Sequence, residues 1–249
     1  MKTLRNIAVA GLLLAGTLAA SAQSTNEPAW GAGPHVLLVG GGKYHDFPKW
    51  FDATDSATLR DAGFAVRYAT DPNQAADWLP EADVLVFSAC VGWPVTQKFE
   101  GAFLKHRQAG KGIVALHTGV WVSWPAWSAV NRSFGLASRS HPPLFHFAIH
   151  NLHVNHPLSA LLPDDLPLTD ELYSVQPFPG GAPVTVLAET DVSPQTHQKH
   201  PSFWVVNEPG VRVACIAPGH DGRTHTNEVF KKWLVGTVRW AATPAGPGK

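Results

Sequence analysis

Three short apolar runs, from His35 to Val39, Asp83 to Ala89 and Gly112 to Leu116, constrain the fold of this chain more than any other feature. Each is too short for a buried helix and reads as a strand covered on both faces, the form that parallel sheets take. A further strand is expected from Phe64 to Ala69. Between them lie segments of helical period. One helix is expected over Pro48 to Ala62, with Pro in its first turn, Phe51, Leu59 and Ala62 on one face, and Gly63 as its stop. Another is expected over Thr96 to Ala109, with Phe99, Ala102 and Phe103 facing inward. Strand and helix in alternation imply an α/β fold, a doubly wound parallel sheet whose ligand sits beyond the carboxyl ends of the strands.

The second half is less regular. Leu144 to Asn151 and Val184 to Ala188 are expected as strands of a small antiparallel extension, and Val211 to Ile216 as a last core strand. A closing helix is expected over about Thr226 to Trp240, with Val229, Phe230, Trp233, Leu234 and Thr237 on one face.

Ahead of this domain, Lys2 and Arg5 precede an apolar run, Ile7 to Ala19, and Ala20-Ser21-Ala22 offers small residues for cleavage. Residues 1–22 therefore read as a secretory signal peptide, which places the mature chain in the periplasm or medium; a retained anchor is the alternative. No Cys follows the run, which disfavours a lipoprotein. Residues 23–34 form a polar leader, 35–242 one domain and 243–249 a flexible Ala-Pro-Gly tail. No later segment is apolar enough for a membrane span. Lys plus Arg equals Asp plus Glu at 19 each, so neither nucleic acid nor an anionic membrane is an expected partner. Cys90 and Cys215 end apolar runs and read as small buried hydrophobes, with no bridge expected.

Four polar clusters fall on expected strand ends: His45-Asp46, His117, Ser140-His141-Pro142-Pro143 and His220-Asp221. Histidine exchanges a proton near neutral pH or ligates a metal, and a carboxylate orients it or shares the metal. A fifth group, Asp170-Glu171 before Leu172-Tyr173, lies in a stretch that reads as too polar for a core. Each histidine at a strand end has a plainer reading as a hydrogen-bonding partner of its own loop. His146 and His150 alternate with Phe145, Phe147 and Ile149 and read as the open face of a strand, and His156 before Pro157 reads as a turn residue. Trp121, Trp124 and Trp127 follow His117 closely, and flat indoles beside polar groups suit the apolar faces of sugar rings, although aromatics also cap sheet edges.

Six segments in order, Gly41-Gly42-Lys43-Tyr44-His45-Asp46-Phe47, Ala115-Leu116-His117-Thr118-Gly119, Ser140-His141-Pro142-Pro143, Asn155-His156-Pro157-Leu158, Thr169-Asp170-Glu171-Leu172-Tyr173 and Pro218-Gly219-His220-Asp221, resemble the marker segments of ThuA-like (trehalose-utilisation) domains. The resemblance spans about His35 to Ala242. It implies a flavodoxin-like fold of the class I glutamine amidotransferase type and a role in the use of trehalose or related disaccharides. The amidotransferase elbow carries a Cys nucleophile after a central strand, whereas this chain has His117, so glutamine hydrolysis is not expected. Two positions depart from the family: Lys43 and Tyr44 stand where extra histidines are common, and Ser140 where Gly is common.

These readings converge on an enzyme acting on a carbohydrate or keto-sugar by hydrolysis, elimination or isomerisation. His117, His220 and Glu171 are the catalytic candidates. His45, His117, His141 and His220 are candidate ligands of a divalent metal, zinc or manganese, and no nucleotide cofactor is expected. Trp121, Trp124, Asp46, Asp221 and Tyr173 are the candidate sugar contacts, with Asp46, Glu171 and Asp221 also orienting the histidines. A paired-carboxylate glycosidase fits poorly, because the clusters centre on His. The rivals are a non-catalytic periplasmic carbohydrate-binding domain using the same edge, and a structural domain that has lost activity.

Overall fold

A computed structural model describes residues 30–94, 96–122 and 128–245. The expected signal peptide, most of the expected leader, Trp124, Trp127 and the last four residues lie outside the described residues. The apolar runs become strands β1 (His35–Gly41), β3 (Val84–Ala89) and β4 (Gly112–Leu116), joined by β2 (Ala65–Ala69) and β11 (Val213–Ile216) in a parallel array. The nine-stranded sheet has the order β2-β1-β3-β4-β11-β10-β9-β6-β7.

Side-chain alternation along these strands feeds two cores. Val36, Leu38, Val84, Val86, Val114, Leu116, Ala214 and Ile216 face one layer of helices. That layer holds a π-helical segment, Pro48–Asp55, running into α1 (Ser56–Asp61), and α6 (Glu228–Ala242), whose Phe230, Trp233, Leu234 and Val238 are buried. Leu37, Val39, Leu85, Phe87, Ile113, Ala115, Val213 and Cys215 face the other layer, built from α2 (Pro72–Trp78), α3 (Gln97–Gln108) and α4 (Ser128–Phe134). Asp71, Thr96 and Asn227 cap α2, α3 and α6 by accepting backbone N–H groups, which fixes where each helix begins. Among the described residues no helix is long and apolar enough to cross a membrane.

The antiparallel part is larger than the sequence suggests. Beyond β11 come β10 (Pro201–Val206), β9 (Val184–Thr190), β6 (Phe145–Asn151) and β7 (Asp165–Asp170), each antiparallel to its neighbour. β10 and β7 are not expected from the sequence, and neither are α2 and α4. A two-stranded sheet, β5 (Leu136–Ser138) with β8 (Val175–Pro177), packs above the main one. Asp170 overturns the reading of its segment as too polar for a core, for it is buried and its carboxylate is occupied by donors. Cys90 and Cys215 are buried free thiols. His156 caps a short 3-10 turn, Pro157–Leu161, by accepting the Leu158 N–H.

Candidate metal and sugar site

Five loops meet at the carboxyl edge of the parallel strands. His45 follows β1 and His117 is the first residue after β4, while His141 follows β5. Glu171 and Tyr173 follow β7, and His220 follows β11. His117 is fully buried and has a positive φ of 47°, a rare conformation for a residue with a side chain. It turns the chain sharply from β4 into the 3-10 turn His117–Val120, the strand-to-helix elbow by which α/β enzymes lift one side chain above the sheet. The elbow lies close on β3: a Cβ on Gly119 would come within 2.1 Å of the Phe87 carbonyl oxygen. Only glycine fits there.

The histidine tautomers follow from their partners. His117 Nδ1 lies 2.8 Å from the Ala217 carbonyl oxygen, and His45 Nδ1 lies 3.3 Å from that of Lys43. A carbonyl only accepts, so each Nδ1 carries a proton, and His45, held neutral, presents its Nε2 lone pair. Those two Nε2 atoms stand 3.0 Å apart. Glu171 Oε2 is 3.5 Å from His117 Nε2, and Oε1 is 3.2 Å from His220 Nδ1 and 3.5 Å from His141 Nε2. His220 Nδ1 is buried and makes no aligned hydrogen bond, and its nearest carboxylate atom is Glu171 Oε1. The Tyr173 hydroxyl is 3.2 Å from His117 Nε2, with the phenol ring stacked on the imidazole.

Burial, reinforced by His117 and His220, pushes the His45 imidazole down to about 3, so it is neutral at physiological pH. Burial alone would raise the Glu171 carboxyl, but contacts with His117 and His220 outweigh it and hold the group below the usual carboxylate range. Glu171 in turn raises His220. Burial first, and then the charges of Glu171 and Asp170, keep the Tyr173 phenol protonated well above its ordinary range.

The donor atoms of His45, His117, Glu171 and His220 lie within 4.8 Å of one another and could hold a metal ion. Ligands about 2.0–2.1 Å from a tetrahedral ion stand about 3.3 Å apart, close to the 3.0, 3.5 and 3.2 Å separations along the chain of four. With each Nδ1 given to a carbonyl, the two Nε2 atoms point into one shared space where a cation could take both as ligands. Imidazoles that give the other ring N–H to a carbonyl are the usual form of metal-binding histidines. His141 gives its Nδ1–H to the Pro142 carbonyl, 2.8 Å away, and stands just outside the four.

A cavity of about 410 Å³ opens over this cluster, lined by Tyr44, His45, Cys90, Val91, Thr118, Trp121, His141, Glu171 and Tyr173. Trp121 packs edge-on to His141 and Tyr173 and forms one wall. Asp46 and Asp221 do not orient the histidines. Asp46 accepts the Lys49 N–H at the start of the π-helical segment, and Asp221 caps the short helix α5 (Gly222–His225) and pairs with Arg223. Backbone carbonyls and Glu171 do the orienting instead. His146 is exposed, but His150 is more engaged than an open strand face suggests, lying 2.6 Å from Asp165 and 2.8 Å from Asp191. Cys90 and Thr118 line the cavity without having been candidates, since nothing in their local pattern marks them.

A doubly wound sheet with an elbow, and with imidazoles and a carboxylate gathered over it, defines an α/β protein with a class I glutamine amidotransferase-like fold and a histidine-rich site. Residues 35–241 match the ThuA family, described as trehalose utilisation, and the chain belongs to that family. No curated protein matches its sequence. Its fold is similar to that of a ThuA-like protein from Parabacteroides merdae, with TM-score 0.71 and 20% identity over 85% of this chain and 91% of the other. A second ThuA-like protein, from Bacteroides uniformis, aligns with TM-score 0.67 and 19% identity over 86% and 95%. The glutaminase domain of Trypanosoma brucei CTPS aligns with TM-score 0.52 and 10% identity over 84% and 94%.

Proposed function

We propose that this chain is an exported enzyme of carbohydrate use, acting on trehalose, a related disaccharide or a keto form of one, with a divalent cation held by His45, His117, Glu171 and His220. The observation that carries the cation is the convergence of the four donor atoms within 4.8 Å, with the His45 and His117 Nε2 atoms 3.0 Å apart. Zinc or manganese suits a set of three imidazoles and one carboxylate. The family's description supports the carbohydrate, and so does the cavity. Its lining holds aromatic faces and no Lys or Arg among the described residues, which suits an uncharged ring better than a phosphorylated one.

A bound cation supplies Lewis-acid polarisation of a substrate oxygen. The chain's own groups do the rest. Trp121 and Tyr173 wall the cavity and orient a sugar face against the cluster. The Tyr173 hydroxyl, held protonated, donates a hydrogen bond to an oxygen that gains charge. His141, part-exposed with its Nε2 3.5 Å from Glu171 Oε1, takes or returns a proton at the mouth. This set serves hydrolysis, elimination or isomerisation. Cysteine chemistry is not favoured, because burial pushes the Cys90 thiol up to about 11.

The test is elemental analysis of the purified chain, followed by a turnover screen on disaccharides and their keto derivatives with and without chelator. About one zinc or manganese per chain and chelator-sensitive turnover are expected. Sugar binding with neither metal nor turnover would replace the enzyme with a binding domain.

A further inference from the structure

The helical segment beneath the site carries a charge where its pattern calls for an apolar residue. Phe51, Asp55 and Leu59 recur at four-residue spacing, and all three are buried. Asp55 Oδ1 lies 2.8 Å from His225 Nδ1, in a pair with 1% and 0% of its side chains exposed. His225 Nε2 lies 2.9 Å from the Gly219 carbonyl oxygen, so Nε2 carries a proton and donates it there. A buried pair of this kind contributes little net stability compared with apolar side chains of the same size. Its presence calls for a role.

The peptide that His225 grips is the one that carries His220. Gly219 has a φ of 140°, and a Cβ there would lie 3.1 Å from the His117 Cβ and 3.8 Å from the His225 ring. On the opposite side of the same turn, Asp170 accepts the Gly219 N–H at 3.0 Å and the His220 N–H at 3.3 Å. The turn is therefore held by its carbonyl and by its amides. Trp50 stacks on the outer face of His225, and Phe51 and Phe230 meet its edges, so the ring has one orientation available.

We propose that Asp55 and His225 are positioning residues that hold the Gly219–His220 peptide so that His220 is aimed at the cation cluster. This rests on the reading of that cluster as a metal site. Asp55 fixes the His225 ring, and the ring fixes the Gly219 carbonyl. The carbonyl then sets the direction in which His220 leaves the backbone. A neutral Asn at position 55 can donate to an unprotonated His225 Nδ1 and leave the Nε2–H bond in place, so charge is not what the role requires.

The experiment compares the wild type with His225→Phe, Asp55→Leu and Asp55→Asn. Two quantities are read on each folded protein: zinc affinity by titration, and exchange of the Gly219 and His220 amide protons in the metal-free state. His225→Phe and Asp55→Leu are expected to weaken zinc binding about 10- to 100-fold and to speed amide exchange, with Asp55→Asn close to wild type. Wild-type zinc affinity in folded His225→Phe overturns the proposal and leaves the metal site standing. Failure of the wild type to bind zinc or manganese overturns the metal reading, and the amide exchange then decides the positioning: unchanged exchange in His225→Phe refutes it. If neither disruptive variant folds, the wild-type ring decides. A His225 Nε2 found without its proton refutes the hold on Gly219.

Discussion

His45 and His117 meet nitrogen to nitrogen, Nε2 to Nε2 across 3.0 Å, after each has given its other ring proton to a backbone carbonyl. Both Nε2 atoms are thereby turned into the cluster, and the first prediction follows from that. His45→Ala, His117→Ala and His220→Ala should each abolish tight zinc or manganese binding, read by elemental analysis after gel filtration. His117→Ala also strips the buried Ala217 carbonyl of its donor, which costs about 1–3 kcal/mol. At about 2–4 °C per kcal/mol in a domain of this size, its melting temperature should fall visibly. A His117→Ala protein that keeps its metal would refute the cluster.

Trp121 forms a wall of the cavity without touching the donor atoms. Trp121→Ala should therefore keep the metal and lose sugar affinity, with a rise in KM larger than any fall in kcat. Unchanged KM for every disaccharide that turns over would move the sugar elsewhere on the edge.

His150 ties β6 to Asp165 at the start of β7 and to Asp191 just after β9. Hydrogen bonds that its ring donates to Asp165 and then to Asp191 raise its pKa in the folded state above the ordinary value near 6.5. The stabilisation is thus fully present below about pH 6.5 and is lost as pH rises through the raised value. His150→Gln should flatten that part of the melting profile. The effect is small, because the ring is part-exposed, its two carboxylate partners more so, and salt screens the contact. A wild-type profile that shows no decline above pH 6.5 relative to the variant removes the contribution.

Cys90 borders the cavity, yet its thiol donates to the Lys43 carbonyl oxygen at 2.9 Å, and burial keeps it protonated. Cys90→Ser should retain metal content and turnover, and the native thiol should react slowly with a disulfide reagent at pH 8. Lost turnover in a folded Cys90→Ser protein would restore the thiol as a participant.

Export predicts that the protein recovered from the periplasm or medium has lost about its first 22 residues. Intact-mass measurement checks this, and a full-length mass would contradict it.

The parallel half of the sheet was legible because β1, β3 and β4 are apolar runs buried on both faces, with β1 ending in glycine and β4 running into His117. The order of the histidines along the chain carried the site with them. β7 was not legible: in Asp165-Leu-Pro-Leu-Thr-Asp170 the burial of a carboxylate depends on donors that arrive from Gly219, His220 and Thr224, about fifty residues on. β10 hides a buried Ser202 and opens on Pro201, both of which argue locally against a strand. Asp46 and Asp221 misled for the opposite reason. A carboxylate next to a histidine in sequence is ready to cap the helix that follows, and that local use wins over the neighbouring ring. Asp55 could have been found, as the one acid in an apolar stripe of period four.

The turn at His117 is a pedestal made of backbone, shaped by a left-handed residue and a glycine that lets it rest on β3. Nothing in that shape specifies a sulfur, an oxygen or a nitrogen. The fold therefore supplies an address and leaves the reagent to whichever side chain occupies it, so that a single codon at the summit can separate thiol chemistry from imidazole chemistry on one architecture. Among proteins built this way, shared topology predicts where a reaction happens far better than it predicts which reaction happens there.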